Sequence, residues 1–323
     1  MNSIDLFACP ECGSGMRTGS RIECTGCGAS FPLVDGIPCF AASSDFYDSY
    51  SEVHCPYHLS PTRIKVELLR FIPHWSSREW KFWKAAIPRC ENLLDIGCGR
   101  GRQIFAQAAS QAIGFDSSLL FARDCAMHYK SVAVGTLPHL PFRSGSFDAV
   151  VSSHVLGHVA LQEKDKLVEE IARTLRPGGM TAHIIETDSN HPAIRAAKLQ
   201  PDLYRKQLLE QDGHIGLEKA TAVVERFERH GLRLRKMRLV DAIIPSAQNF
   251  RKYFKGTSLA SAPGLGRTRL LERLAGAGLI GTTVYEMGMG LFHDTWEQFT
   301  GQPDNAQFIM ALFVKDVGTP KQV

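Results

Sequence analysis

Short runs of apolar residues alternate with segments that place apolar residues at helical spacing through most of the chain. The runs that predict strands are 92–96, 112–115, 181–186, 232–244 and 306–315, with a further strand that ends near Ser153. Helical segments between them include 103–109, an amphipathic stretch with Leu167, Val168 and Ile171 on one face, and 217–230. This alternation predicts an α/β core, and 323 residues are enough to bury one such core with a small additional domain.

The region before the first of these strands, 43–89, has a less regular pattern and is predicted to be a linker followed by a helical cap. Apolar spacing over 61–87 fits two short helices broken near Pro73. Three tryptophans in this region favour a packed core over a stacking surface for a planar substrate. They are Trp75, Trp80 and Trp83.

About sixty residues, 246–305, separate the last two predicted strands, far more than an ordinary connection needs. Methionines and aromatic residues lie beside glycines in this helical insertion, a composition typical of an adaptable apolar lid over a small acceptor. A helical pair that buries its own face, or a dimer contact, is an equally good interpretation.

Four cysteines near the N-terminus form two Cys-x-x-Cys pairs, Cys9 with Cys12 and Cys24 with Cys27. Four thiolates at this spacing can close the tetrahedral shell of a structural Zn²⁺. A segment of about 40 residues buries too little apolar area to fold alone, so the metal would supply much of its stability. Because four protein ligands leave no position for water or substrate, we predict a structural zinc site and not a catalytic one.

Composition and charge narrow the class of protein only slightly. A net charge of +4 does not by itself require a polyanionic partner. The cysteine-rich N-terminal segment, residues 1–42, has four acidic residues and two arginines and so carries a net charge of −2. No run approaches the roughly 18 apolar residues that span a bilayer, which predicts a cytoplasmic protein without a membrane partner. Nine cysteines, an odd number, fit a reducing compartment with a metal site better than a disulfide framework.

The first predicted strand of the core leads directly into a glycine-rich turn, Asp95-Ile-Gly-Cys-Gly-Arg-Gly101, and then into a helix. Glycines let the backbone approach a ligand closely, and the free N–H groups of the helix N-terminus favour an anionic group. Asp116 follows the second strand about twenty residues later, where an acid can accept both ribose hydroxyls. The pattern predicts a site for a nucleoside cofactor.

With the later segment from Leu140 to Gly179, these motifs make residues 90–188 resemble class I S-adenosylmethionine methyltransferases, the broad group that includes quinone-biosynthesis enzymes. The resemblance implies a Rossmann-like seven-stranded fold and S-adenosyl-L-methionine as cofactor. The cofactor-binding residues that it implies are Asp95, Gly97, Gly99, Gly101, Asp116, Ser117, Thr136, Leu137 and Ser153. Gly135-Thr136 departs from the family pattern, which usually has an acidic residue reading the adenine amino group there, and the Thr136 hydroxyl is expected to replace it in part.

Residues 7–40 resemble the ribbon of the small zinc protein that partners tRNA and rRNA methyltransferases, and similar ribbons begin rRNA guanine methyltransferases. This resemblance indicates fold more than substrate. The predicted divisions of the chain are 1–42 for the zinc ribbon, 43–89 for the linker and cap, and 90–323 for the catalytic domain.

Methyl transfer from a sulfonium depends mainly on alignment of the nucleophile, and a base is needed only when the acceptor must lose a proton. The candidate catalytic bases are histidines, because imidazole titrates near neutral pH. They are His154, His158 and His214, with His191 as a further candidate. For His158 a packing role is the favoured alternative.

Three functions remain open. The leading hypothesis is methylation of a small molecule, such as a natural product or a sugar-containing intermediate, at O, N or C. The alternative is methylation of an rRNA or tRNA base, which the resemblance of the ribbon supports, although the acidic ribbon is a poor surface for phosphates. Basic residues gather over 226–238 and 251–269, where a solvated surface explains them equally well. A noncatalytic adaptor that retains the cofactor fold is the third. A homodimer or a protein partner contacting the ribbon or the insertion is compatible with each.

Overall fold

The structure is a computed structural model that describes residues 3–48, 75–210, 212–243 and 295–317, with the single positions 288, 290 and 292. Most of the predicted insertion, the first helix of the predicted cap and the basic residues over 251–269 lie outside the described residues.

Two sheets account for the strands of the described chain. The small antiparallel sheet is formed by β1 (Met16–Thr18), β2 (Arg21–Cys24), β3 (Ser30–Val34) and β4 (Ile37–Pro38). The large sheet is formed by β5 (Cys90–Ile96), β6 (Ala109–Asp116), β7 (Ser131–Val134), β8 (Phe147–Ser153), β9 (Leu175–Glu186), β10 (Leu232–Val240) and β11 (Phe308–Lys315).

The seven strands of the large sheet follow the order β7-β6-β5-β8-β9-β11-β10. The pairs from β7 to β9 are parallel, and β11 runs antiparallel to both β9 and β10. Because neighbouring parallel strands end at one edge, the residues after β5, β6, β8 and β9 meet in a single cleft. This arrangement confirms the predicted Rossmann-like seven-stranded methyltransferase fold.

Helices pack against the strands of this sheet. The α-helices are α1 (Trp75–Ala86), α2 (Gln103–Ala108), α3 (Leu119–Ala126), α4 (Lys164–Thr174), α5 (Pro192–Lys198), α6 (Pro201–Tyr204), α7 (Ala220–Arg229) and α8 (Trp296–Thr300). A π-helical turn, Arg205–Glu210, follows α6. Trp83 of α1 is buried edge-on against Phe105 of α2, with ring centroids 5.0 Å apart, as expected for a core residue. None of the helices in the described ranges is long and apolar enough to cross a bilayer.

Several element bounds differ from those predicted by the hydrophobic pattern. The strand predicted from residue 181 begins at Leu175. The hydrophobic pattern misses this start because three exposed residues after Leu175 interrupt it. The strand predicted to reach residue 244 ends at Val240, where Asp241 turns the chain with a φ of 56°. Helix α7 begins at Ala220 and not at residue 217.

The ribbon packs directly on the large domain. Leu6, Phe7 and Ile22 are buried in the same hydrophobic cluster as Phe115 and Phe142 of the large domain. The rings of Phe7 and Phe142 lie 5.1 Å apart, and Ala8 N donates a 3.0 Å hydrogen bond to Pro141 O. The ribbon therefore contributes to the core of the catalytic domain.

Candidate active site

The turn after β5 requires glycine for two separate reasons. Gly97, Gly99 and Gly101 have φ values of 62°, 52° and 76°, in the left-handed region that side chains disfavour. A Cβ on Gly97 would also lie 2.3 Å from Val155 Cγ2. The turn thus brings bare main chain to the mouth of the cleft, as a bound cofactor would need.

Asp116, at the end of β6, is held by main-chain donors. Its Oδ2 accepts a 2.8 Å hydrogen bond from Gly99 N, and its Oδ1 accepts one of 2.9 Å from Ser118 N. Burial raises the pKa of Asp116, and these N–H groups oppose that effect. An ionised carboxylate has lone pairs for further donors, which is what a ribose diol would require.

Asp95 lies beneath the turn, only 2% exposed. Tyr129 Oη donates a 2.7 Å hydrogen bond to Asp95 Oδ2, and Arg102 N donates to Tyr129 Oη at 2.9 Å. Burial raises the pKa of Asp95 to about 7, against the hydrogen bond from Tyr129. Asp95 therefore supports the turn from the interior.

Arg102 is a residue that the sequence reasoning missed. Its guanidinium pairs with Glu79 of α1 and donates a 2.9 Å hydrogen bond to Ser153 Oγ at the end of β8. A guanidinium beside a glycine turn suits an anionic carboxylate such as that of a methionine moiety. The signal in the sequence was a basic residue directly after the last glycine of the turn.

The structure gives a steric reason for the absence of an acidic residue at position 135. A Cβ on Gly135 would lie 2.7 Å from Phe115 Cε2 and Cζ, so no larger side chain fits there. Thr136 is exposed and Leu137 half-buried at the same end of the sheet. An acid reading adenine could be carried at 136 but not at 135.

The segment that leaves the ribbon crosses the ribose side of this cleft. Ser44 N donates a 2.9 Å hydrogen bond to Ser117 O, and Ser118 Oγ donates one of 2.5 Å to Asp48 Oδ1. Between Ser44 and Asp48, Phe46 lies against Gly213, and a Cβ on this glycine would be 2.9 Å from the Phe46 ring. The start of the predicted linker therefore reaches from the cofactor side to the acceptor side.

The three histidines predicted as candidate bases come together at the ends of β8 and β9. His154 Nδ1 lies 2.6 Å from Glu186 Oε1, and His214 Nε2 lies 3.9 Å from the same oxygen. The rings of His158 and His214 have centroids 4.9 Å apart. His191 lies elsewhere, with Nε2 bonded to Ile243 O at 3.0 Å.

Glu186 is the acidic centre of this cluster, and the sequence reasoning recorded it only as a strand end. Burial by itself would raise the pKa of Glu186, but His154 and His214 hold it well below its usual range. The same pairing raises the pKa of His154 against the effect of burial, whereas burial lowers that of His158. An acid at the carboxyl end of a parallel strand was the available signal.

The four ribbon cysteines fit a tetrahedral metal site. Their sulfurs lie within 4.8 Å of one another, with Cys9 and Cys27 3.7 Å apart and Cys12 and Cys24 3.4 Å apart. A Zn–S bond of about 2.3 Å in a tetrahedron places sulfurs about 3.8 Å apart. Gly26 N and Cys27 N point at Cys24 Sγ, at 3.3 and 3.4 Å, as expected around a thiolate.

Comparison with known proteins identifies a methyltransferase domain in this chain. Residues 94–183 match the family model described as a methyltransferase domain. A tRNA (carboxymethyluridine(34)-5-O)-methyltransferase of Arabidopsis thaliana is 31% identical over 114 residues, 33% of this chain and 28% of that protein. The enzyme of the same name from Macaca fascicularis, ALKBH8, is 29% identical over 175 residues, 51% of this chain and 26% of that protein.

These matches thus span between a quarter and a third of the length of the two relatives. Among solved structures, a chain from the complex of the Haloferax volcanii Trm112 methyltransferase activator with a methyltransferase is similar, at a TM-score of 0.48 and 15% identity. That match covers 85% of this chain and 100% of the other. The glycine turn, Asp116 and the family match over the same residues establish that the chain carries a class I S-adenosylmethionine-dependent methyltransferase domain.

Proposed function

We propose that the protein transfers the methyl group of S-adenosyl-L-methionine to a carboxylate oxygen of a modified uridine in tRNA. The observation that carries the proposal is the similarity of the catalytic core to two tRNA (carboxymethyluridine(34)-5-O)-methyltransferases. This similarity favours the RNA alternative over the small-molecule acceptor that led the sequence hypotheses.

In this proposal Asp116 would bind the ribose of the cofactor, Arg102 would bind its carboxylate, and the glycine turn would leave room for it. The bound cofactor would supply an activated methyl group. The acceptor oxygen forms a bond to the methyl carbon while the C–S bond breaks, which leaves S-adenosylhomocysteine and a methyl ester.

A carboxylate is already ionised at neutral pH, so the transfer moves no proton and needs no base. The work of the protein is alignment of the oxygen with the C–S bond. His154, His158 and His214 are proposed to position the acceptor, a role that fits their convergence on one side of the cleft.

We also propose that Cys9, Cys12, Cys24 and Cys27 bind one structural Zn²⁺. The packing of Phe7 against Phe142 supports this role, because the ion would then stabilise a ribbon that forms part of the domain core.

A small-molecule acceptor is the second candidate, and one observation favours it. Of the basic residues gathered over 226–238, Arg226 and Arg229 pair with Asp165, and Arg233 pairs with Asp316. Paired arginines offer less to a phosphate backbone.

The deciding experiment supplies S-adenosylmethionine with a deuterated methyl group and, in separate reactions, total tRNA, rRNA and a small-metabolite extract. Nucleosides and metabolites are then analysed by mass spectrometry before and after mild alkali, which cleaves a methyl ester but not an N- or C-methyl group. An alkali-labile label in tRNA nucleosides supports the proposal. Label only in the metabolite fraction would replace it with the second candidate.

Two variants give the controls. Asp116→Ala should abolish labelling, whereas Glu169→Ala, on the exposed face of α4, should retain it. Label that persists in Asp116→Ala would mean either a contaminating enzyme or a cofactor site without Asp116, and the calorimetric affinity of the variant for S-adenosylhomocysteine distinguishes the two.

A further inference from the structure

We propose that His158, Glu186 and His214 bind a divalent transition-metal ion at the acceptor end of the cleft, a second metal site distinct from the ribbon. One donor atom from each of these residues lies within 4.8 Å of the others. Metal–nitrogen and metal–oxygen bonds of about 2.0–2.2 Å need donors about 3 Å apart, a separation that small side-chain rotations provide from this starting point.

Glu186 supplies the strongest indication of a missing partner. Its side chain is only 8% exposed, and Oε2 has no hydrogen-bond partner among the described residues. The other oxygen accepts from His154 at 2.6 Å. A buried carboxylate oxygen without a donor is costly, and a cation is one of the few groups that removes the cost.

The neighbouring backbone leaves room beside that oxygen. A Cβ on Gly157 would lie 3.2 Å from Glu186 Oε2 and 3.1 Å from His214 Cδ2. Any larger residue at 157 would crowd the oxygen and the imidazole that the proposal assigns to the metal.

The His158 imidazole has the orientation that metal-binding histidines adopt, and the His214 ring has a carboxylate on the side away from Glu186. His158 Nδ1 is bonded to Gly213 O at 3.1 Å, which leaves Nε2 as its metal donor. His214 directs Nδ1 toward Asp212, 4.0 Å away, and Nε2 toward Glu186. A carbonyl or carboxylate behind the ring fixes the tautomer and the direction of the donor nitrogen in metal sites.

Two imidazoles and one carboxylate suit Zn²⁺, Co²⁺, Mn²⁺ or Fe²⁺ better than Mg²⁺ or Ca²⁺, which prefer oxygen ligands. Three protein ligands also leave positions open for an oxygen of the acceptor. That use of the metal rests on the proposed function, but metal binding itself does not.

The experiment first loads the full chain with one equivalent of Zn²⁺, which the four thiolates should take, and then titrates Co²⁺. Visible absorption reports binding, and elemental analysis after gel filtration gives the metal count. We expect one Zn²⁺ and one Co²⁺ per chain. Replacement of a direct ligand, in His214→Ala or Glu186→Gln, should weaken Co²⁺ binding by at least about 10- to 100-fold.

His128→Ala is the matched control, because His128 is an exposed histidine just after α3. It should bind Co²⁺ as the wild type does, and circular dichroism checks that each variant is folded. Absence of a second equivalent in the wild type, or undiminished binding in both ligand variants, would overturn the proposal. Because no acceptor is present in the titration, a failure of tRNA labelling with an intact metal count would count against the proposed function alone.

Discussion

The cofactor half of the cleft, at the ends of β5 and β6, is made largely of main chain, whereas the acceptor half, at the ends of β8 and β9, is made of side chains. In the first, Gly97 and Gly99 present backbone, and Asp116 is held by two N–H groups. In the second, His154 and His214 converge on a buried carboxylate.

The two halves also differ in how far apart their parts lie in the sequence. The turn and Asp116 fall within 22 residues of one another, from Asp95 to Asp116. The acceptor half draws on residues from 154 to 214, brought together only by the pairing of β8 with β9 and by the loop around Gly213. Local motifs therefore define the cofactor site, while topology assembles the acceptor site.

The largest effect that we expect is loss of cofactor binding in Asp116→Ala. This change removes the acceptor of the Gly99 N and Ser118 N hydrogen bonds as well as the proposed ribose partner. Hydrogen bonds to a charged group contribute about 1.5–3 kcal/mol each, so affinity for S-adenosylhomocysteine should fall at least about 100-fold. Calorimetric titration measures it, and an unchanged affinity would remove Asp116 from the cofactor site.

The next effect is on stability and its pH dependence. Burial raises the pKa of Asp95 to about 7, well above the usual value of an aspartate side chain. The folded protein therefore holds this proton more tightly than the unfolded chain, and the associated stability is present at low pH and lost as pH rises from about 4 to 7.

The side chain of the Asp95→Asn variant does not titrate. The free energy of unfolding of this variant, relative to the wild type, should therefore increase from about pH 4 to pH 7 and then level off. The gain should be on the order of 4 kcal/mol above pH 7. Urea unfolding of both proteins at several pH values between 4 and 8 tests it. Parallel pH profiles would contradict a raised pKa.

A smaller effect, on the rate of methyl transfer and not on cofactor affinity, is expected when only the acceptor half of the cleft is changed. His154→Asn keeps a residue that tolerates the φ of 59° but breaks the contact with Glu186. Misplacement of the acceptor should slow methyl transfer about 10- to 100-fold while leaving affinity for S-adenosylhomocysteine unchanged. Single-turnover rates and cofactor titration together measure this, and weakened cofactor binding would show that the halves are not independent.

The smallest effect is a gain. Thr136→Asp places an acid where it could reach the adenine amino group, and affinity for S-adenosylhomocysteine should rise by a few fold, about the value of one net hydrogen bond. Gly135→Asp is the comparison, because its Cβ would clash with Phe115 and binding should weaken. If both changes weaken binding, the adenine lies elsewhere.

These differences explain what could be predicted from the sequence. The glycine turn, Asp116 and the paired cysteines are short-range patterns with a fixed physical meaning, and the structure places them as compact sites. Glu186 and Arg102 have only weak local signals, an acid at the end of a strand and a basic residue after the last glycine, and neither signal by itself marks a residue as functional. Glu186 contacts His154, which is 32 positions away in the sequence, and Arg102 contacts Ser153, which is 51 positions away. Hydrophobic periodicity does not predict contacts between such distant residues.

The same limit applies to element bounds and to domain division. The exposed start of β9 has no apolar pattern, and its pairing with β8 defines it as a strand. A boundary after residue 42 follows from the change in composition. It gives no sign that Phe7 and Phe142 share one core.

The two outer strands of the large sheet are protected from pairing with other chains in different ways. Strand β10 exposes Arg233, Arg235 and Lys236, and charged side chains discourage edge-to-edge association. Strand β7 is covered by the ribbon, where Phe40 N donates a 2.7 Å hydrogen bond to Val134 O. If the ribbon binds zinc as proposed, an oxidant or chelator that unfolds it would uncover this edge, and the zinc content would then affect the solubility of the protein as well as its fold.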